Sequence, residues 1–321
     1  MSLLTFLRCP DCHGKFSAVA SRESAGEIER GSLKCEMCSQ TFPILRFVPR
    51  LVSSDEYARS FSAEWNIFSA TQLDRGQRTE TRETFVRKTG VRPEELAGKL
   101  VLEAGCGMGR FVDIMSRVST TTVIGFDLSM AVEAAQKNVG SRPNVHIVQA
   151  DIMKAPFQDG TFDFIFSIGV LHHTPNPKQA FGNLVPLLRE NGEIAIWVYL
   201  EYRRPPLSDF YRMITSRMPW SMLLALSKVL VKMYGVHRRL PRLWHVVPIS
   251  MHSDPEWRLL DTFDWYSPKY QFRFTTEEVL DWFRDMHLGD VQIQAIPVAV
   301  KARRQVAGNP TASKTSRVEM K

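Results

Sequence analysis

The chain has 321 residues, 44% of them hydrophobic and 23% charged, with a formal net charge of +7. This composition excludes a disordered protein, and the length accommodates one large core plus a smaller unit. No apolar run reaches the roughly 18 residues a membrane span needs, and the N-terminus lacks the order of a signal peptide, so a cytoplasmic protein is expected.

The five cysteines form two CxxC pairs, Cys9-Pro-Asp-Cys12 and Cys35-Glu-Met-Cys38, and a singleton, Cys106. With 22 residues between the pairs, the four thiolates can close tetrahedrally on one Zn2+ as the two knuckles of a zinc ribbon. A disulfide framework is the competing reading, and it does not suit a chain of this length in a reducing compartment. Residues 1–52 are therefore read as a zinc-ribbon-like module with Cys9, Cys12, Cys35 and Cys38 as metal ligands. Its unfolding is expected to spare the rest of the chain.

The stretch Leu3-Leu4-Thr5-Phe6-Leu7-Arg8-Cys9-Pro10, with Thr41-Phe42-Pro43-Ile44 and Val48-Pro49, resembles the small zinc-ribbon proteins that act as activating partners of methyltransferases. The resemblance implies a structural ion, because four thiolates leave no open coordination position for chemistry.

Residues 53–98 read as a helical lid, with Phe61, Trp65 and Phe68 on one face at spacings of four and three. That stripe is core packing or a set of aromatics closing over a ligand. From residue 99, short apolar runs alternate with helix-length stretches: Leu100 to Ala104, Thr122 to Asp127, Val145 to Gln149, Phe162 to Ile168 and Glu193 to Tyr199. Such alternation predicts an α/β fold, a doubly wound parallel sheet covered on both faces.

The first of these strands runs into Glu103-Ala104-Gly105-Cys106-Gly107-Met108-Gly109, which opens a helix. Its glycines let the backbone turn sharply and approach a ligand, at the end of the sheet where such folds bind one. The spacing is GxGxG, not the GxGxxG of dinucleotide binders. Asp127 ends the second strand, where it can take a ribose diol, and Asp151 follows the third, where it can take an adenine amino group. Three acids at three successive strand ends point to a nucleoside site.

The run from Lys99 to Trp197 resembles class I S-adenosylmethionine-dependent methyltransferases. It is carried by Glu103 to Gly109, Asp127, Asp151, Phe162-Asp163-Phe164-Ile165-Phe166-Ser167 and Leu188-Arg189-Glu190-Asn191-Gly192-Glu193. Asn191 departs from the Pro or Gly that often stands there. The resemblance implies a seven-stranded Rossmann-like sheet with its last strand antiparallel. It also implies S-adenosylmethionine contacts from Glu103, Gly105, Cys106, Gly107, Gly109, Asp127, Leu128, Asp151, Ile152, Ser167 and Ile168.

The fourth strand leads into Gly169-Val170-Leu171-His172-His173-Thr174-Pro175-Asn176-Pro177, which would lie beside the transferred methyl. This is not the Asn/Asp-Pro-Pro-Tyr/Phe sequence of exocyclic-amine methylation, and it is more similar to methyltransferases of small molecules. His172 or His173 is a candidate general base, since imidazole titrates near neutrality; the competing reading has both shaping the pocket.

Residues 202–274 form an insertion expected to build the acceptor pocket, with Tyr199, Tyr266, Tyr270 and Arg273 as candidate contacts. Within it, residues 202–245 carry nine Lys/Arg against one Asp, +8, while residues 301–321 carry +5, so the rest of the chain stands at −6. Segregated charge argues against a globally basic nucleic-acid binder. The helix Met218 to Met233 with its basic flank suits an anionic membrane surface or a lipid-linked acceptor, or is an ordinary helical cap.

Thr275 to Met286 reads as a capped helix, Asp290 to Ala295 with Val298 to Lys301 as a hairpin closing a methyltransferase domain of residues 99–304, and residues 305–321 as a disordered tail. The function expected is S-adenosylmethionine-dependent methyl transfer to a small-molecule or lipid-linked acceptor. The alternative is an RNA base methyltransferase, because a zinc ribbon ahead of this fold also occurs in an rRNA guanine methyltransferase.

Overall fold

The computed structural model describes residues 3–24, 26–52, 56–202 and 207–305. The expected tail, from residue 306, and Arg203 of the basic insertion lie outside the described residues.

Four strands build the N-terminal module: β1 (Phe16–Ser24), β2 (Glu27–Cys35), β3 (Thr41–Leu45) and β4 (Val48–Leu51). Helices α1 (Arg59–Ile67) and α2 (Glu80–Thr89) follow. The 53–98 region is thus not one helical stretch, because residues 68–79 leave the helix and Gly90 closes α2 in the left-handed conformation at φ +68°.

The alternating segment begins with β5 (Leu100–Ala104), α3 (Arg110–Ser116), β6 (Thr122–Asp127), α4 (Val132–Val139) and β7 (Val145–Ala150). It continues with β8 (Phe162–Ile168), α5 (Pro177–Leu184) and β9 (Leu188–Trp197). β9 starts five residues earlier than the apolar run indicated, since its first turnful is polar. Asn191 there sits at φ +60°, a conformation asparagine tolerates well. The insertion supplies α6 (Leu207–Thr215), α7 (Trp220–Leu230), α8 (Tyr234–Arg239) and α9 (Pro255–Asp264). The chain then closes with α10 (Thr276–Asp285), β10 (Leu288–Ile293) and β11 (Ala299–Arg304).

The strands form one sheet in the order β1-β2-β3-β4-β7-β6-β5-β8-β9-β11-β10. β5 to β9 run parallel, and β11 enters antiparallel beside β9. The pairing of β4 with β7 is not predicted by the sequence. There the ribbon's last strand pairs parallel with the edge of the larger sheet, Arg50 opposite Gln149 and Leu51 opposite Ala150.

All four residues of β4 are buried. Arg50 donates from Nη1 to Gln149 Oε1 at 3.1 Å and pairs through Nη2 with Glu133 of α4. A second seam joins Leu7 to Phe157, with the Arg8 N–H donating to the Pro156 carbonyl at 2.8 Å. Leu7, Phe16 and Leu33 consequently share one apolar core with Phe126, Phe157 and Ile152. The module is therefore an extension of the catalytic sheet, contrary to the expectation that it would stand apart.

Candidate active site

The strands β5, β6, β7 and β8 end on one side of the sheet, and a cavity of about 380 Å3 opens there. The loop after β5 forms its floor. Gly105 holds φ +82°, and a Cβ on it would stand 2.4 Å from the Val170 side chain, so no other residue fits that turn. Gly107 lies under the Trp65 indole, whose Nε1 would be 3.3 Å from an added Cβ.

Of the expected cofactor contacts, Glu103, Gly105, Cys106, Gly107, Asp127, Leu128, Ile152 and Ile168 line this cavity. Glu103 is 2% exposed and its Oε2 has no hydrogen-bond partner. Burial pushes its pKa well above the usual carboxylate range. Asp127 is tied in place by the Gly107 N–H at 2.9 Å and by the Ser129 N–H and hydroxyl at 2.9 and 2.7 Å. A carboxylate offers about four lone-pair sites, so one acceptor position stays available to a ligand.

The other three stand behind the wall. Gly109 starts α3 in the left-handed conformation. Ser167 donates its hydroxyl to the Ala104 carbonyl at 2.9 Å. Asp151 accepts from the Tyr57 hydroxyl at 2.5 Å and from the Met153 N–H, and it is Tyr57 that reaches the cavity.

The two histidines separate. His172 is fully buried, off the cavity, with neither ring nitrogen partnered, and its ring stacks on Tyr199 at 3.9 Å. Burial holds its pKa well below the normal range. His173 reaches the cavity, with Nδ1 2.8 Å from the Tyr270 carbonyl. A carbonyl only accepts, so Nδ1 carries the proton and Nε2 the lone pair. Burial lowers His173 to about 4, which makes it a weak base at neutral pH.

Among the expected acceptor contacts only Tyr199 lines the cavity. The Tyr266 hydroxyl donates to the Pro248 carbonyl at 2.7 Å, and its ring packs with Leu223 and Phe263 in the insertion's own core. Tyr270 serves through its backbone carbonyl. Arg273 is held by Asp209, with Nε 3.1 Å from Oδ2. The Tyr266 and Arg273 side chains are structural in this arrangement, because their polar tips are spent inside the protein.

Further groups line the cavity. Phe61, Glu64 and Trp65 of α1 form its roof, so the α1 stripe is divided: Phe68 is core and the other two aromatics face the cavity. Lys88 of α2 lies with Nζ 3.2 Å from the centre of the Trp197 ring, and burial drops its pKa to about 7. Asp261 and Asp264 of α9 complete the far wall. Both open the stretch of residues 261–273, whose density of aromatics and polar tips marks it in the sequence as a candidate acceptor lining.

In the ribbon the four cysteine sulfurs all lie within 4.8 Å of one another, with Cys9 to Cys38 at 3.7 Å and Cys12 to Cys35 at 3.4 Å. A tetrahedral zinc with Zn–S near 2.3 Å needs sulfurs about 3.8 Å apart, and a disulfide needs about 2.05 Å, so the cluster fits the metal. The backbone N–H groups of Cys38 and Met37 pull the Cys35 thiol down to about 6, toward the thiolate a metal requires.

Residues 102–196 match the methyltransferase domain family, and residues 2–45 match the Trm112p-like protein family. The chain is 29% identical over 140 residues to phosphoethanolamine N-methyltransferase 1 of Zea mays, covering 43% of this chain and 27% of that protein. It is 33% identical over 100 residues to a malonyl-[acyl-carrier protein] O-methyltransferase of Legionella pneumophila, covering 30% and 35%. The chain thus spans about a quarter to a third of the length of these curated relatives. A solved complex of the Haloferax volcanii Trm112 methyltransferase activator with a putative methyltransferase overlays with a TM-score of 0.44 at 13% identity, covering 78% of this chain and 97% of that one.

The chain carries a methyltransferase domain over residues 102–196, and its fold, glycine loop and cysteine cluster fit a class I S-adenosylmethionine-dependent methyltransferase. It carries a Trm112-like zinc-ribbon module at its N-terminus, joined edge to edge with the catalytic sheet.

Proposed function

We propose that the protein transfers a methyl group from S-adenosylmethionine to a small-molecule or lipid-linked acceptor. The observation that carries this reading is the loop from Glu103 to Gly107 opening, with Asp127, onto one cavity large enough for donor and acceptor side by side. The donor supplies an already activated sulfonium methyl. The chain's own residues must then hold the two partners in line, keep water out and take up a proton.

Asp127 holds the ribose, with Leu128 and Ile152 flanking the base. The unpartnered Glu103 oxygen receives the donor's ammonium group, and the α1 roof excludes water. His173 orients and does not act as the base, since its lone pair is weakly basic. Calorimetry with S-adenosylhomocysteine tests this site, and one mole bound per mole of chain is expected. An absence of binding at millimolar ligand would overturn it.

A lipid surface as the place of work is favoured by the insertion. Phe210, Met213 and Ile214 share one face of α6 and are each more than 60% exposed, and Trp220, Met222 and Val229 of α7 are exposed as well. Arg217, Lys228, Lys232, Arg238, Arg239 and Arg242 of the same insertion are exposed too. Outward apolar side chains and exposed cations on one insertion match the chemistry of an anionic membrane, which takes up the first and attracts the second. No helix among the described residues is long and apolar enough to cross one, so the contact is peripheral.

A further inference from the structure

The far wall of the cavity is built of carboxyls that form no salt bridge among the described residues, although the Arg110 and Arg212 charges act on Asp261 and Asp264 from a distance. Asp261 and Asp264 reach it from α9, and Glu64 reaches it from α1, close enough that both aspartates raise the pKa of Glu64 and Asp261 raises that of Asp264. Glu64 is 1% exposed, and its Oε2 has no hydrogen-bond partner. Asp261 receives the Ser250 hydroxyl at 3.0 Å and is also approached by the Trp257 indole, and Asp264 receives the Tyr199 hydroxyl at a long 3.5 Å. Two indoles, Trp65 and Trp257, also line the cavity.

A buried, unpartnered acceptor costs free energy unless something supplies a donor. That donor is either a cation or a neutral hydroxyl. An ammonium acceptor fits poorly for two reasons. It would lie against the sulfonium of the donor, and surrounding carboxylates would stabilise its protonated form, which has no lone pair to attack with. A neutral hydroxyl meets neither objection. It needs a base, and several hydroxyls on one ring would donate to several carboxyls while the ring's C–H faces lie on indoles.

Resting on the methyl transfer proposed above, we infer that the acceptor is a neutral polyhydroxylated ring, free or as a lipid headgroup, and that Asp264 is the catalytic base for its O-methylation. The hydroxyl oxygen forms a bond to the methyl carbon as the carbon–sulfur bond breaks. The electron pair of that bond stays on sulfur, and the hydroxyl proton passes to Asp264. Glu64 and Asp261 accept hydrogen bonds from the neighbouring hydroxyls and fix which oxygen reacts.

Burial, with Asp261 beside it, raises Asp264 to about 7, while the Tyr199 hydrogen bond and the Arg212 charge act the other way. A base is most effective with its pKa near the working pH, which suits Asp264 and not His173. The charged groups facing it are Asp261 on its own helix, Glu64 on α1, Tyr199 after β9 and Arg212 on α6.

The test supplies methyl-labelled donor with three panels: free polyols (myo-inositol and methyl glucoside), vesicles containing phosphatidylinositol, and amines (ethanolamine, phosphoethanolamine and spermidine). Wild type, Asp264→Asn and Glu64→Gln are compared, each with calorimetry of S-adenosylhomocysteine and of myo-inositol added to that complex. The expected result is label in a polyol panel as an ether stable to mild acid and base. Asp264→Asn should lower kcat at least about hundredfold. It should also abolish the acid limb near pH 7, with S-adenosylhomocysteine affinity kept within twofold. Glu64→Gln should act mainly on KM and weaken polyol binding.

Label in free polyols and label only in vesicles distinguish the two sources, and both support the inference. Label in the amine panel overturns it, as does no label in any panel from wild type that binds S-adenosylhomocysteine. Wild type that does not bind S-adenosylhomocysteine overturns the methyltransferase reading itself.

Discussion

At the scale of single residues, two groups in the cavity carry measurable consequences. Asp127 is held by three donors from the loop and from Ser129, so its position is set before any ligand arrives. Asp127→Ala removes a ligand acceptor and frees the Gly107 N–H. It should weaken S-adenosylhomocysteine binding by about 1–3 kcal/mol in calorimetry, and unchanged affinity would take it out of the site. Lys88 is the other. Its pKa falls to about 7 in the folded state through burial, with Arg110 adding to the effect. A base whose pKa is depressed by folding destabilises the protein fully at pH values below the folded pKa. The penalty fades as pH rises through the window from about 7 to the unfolded value. Over that window the stability of the ligand-free protein should rise, relative to Lys88→Met, by up to about 1.4 kcal/mol per pH unit. Parallel urea curves at pH 7 and 9 check this, and an equal gap at both would show that Lys88 keeps its proton.

At the scale of elements, the ribbon and the sheet should melt together. β4 completes the edge of the catalytic sheet, and Arg50 reaches from it to Gln149 and Glu133. Leu7 and Phe16 lie in the same core as Phe126 and Phe157. Each chain is expected to bind one zinc, and Cys35→Ser should lose it. The structural free energy of such a site is folding free energy, so the variant should show one calorimetric transition at a lower Tm. A low-temperature transition separate from an unshifted main one would mean the ribbon unfolds alone. The same seam shows what could be read from sequence. β5, β6 and β8 are buried on both faces and announce themselves as apolar runs with the bounds found in the structure. β4 is four residues long, contains Pro49, and pairs with a strand about a hundred residues away. Nothing local distinguishes it from a linker. The cofactor loop was legible because its chemistry is contiguous, from Glu103 to Gly109. The acceptor wall was not, because Glu64, Lys88, Tyr199 and Asp264 meet only after the insertion has folded back, and Tyr266 looked as eligible as Asp264 until its hydroxyl was found on Pro248.

At the scale of the whole molecule, charge and apolar surface are placed together and away from the catalytic sheet. The segment from residue 202 to 245 holds +8, while the chain outside it and outside the last 21 residues stands at −6. A protein with that asymmetry approaches an anionic surface in one orientation. The face that leads is the one where α6 turns Phe210, Met213 and Ile214 outward. α9 of the same insertion lines the cavity, so the element proposed to face a membrane and the proposed acceptor wall are parts of one unit. Arg238 and Arg239 are exposed on α8 and do not line the cavity. Their replacement by Glu should therefore act on the surface step alone. Each cation near an anionic leaflet contributes about 1 kcal/mol, so the double variant should lose at least about 2 kcal/mol, or roughly thirtyfold, in partitioning to phosphatidylserine vesicles. S-adenosylhomocysteine affinity should be unchanged. Raising the salt should weaken the wild type toward the variant, because exposed charges are screened over about 8 Å at physiological ionic strength. With Phe210→Ser and Ile214→Ser the loss should persist at high salt, since the apolar contribution is not screened. Vesicle flotation at two salt concentrations separates the contributions. Binding that neither pair of substitutions changes would show that this face meets no membrane.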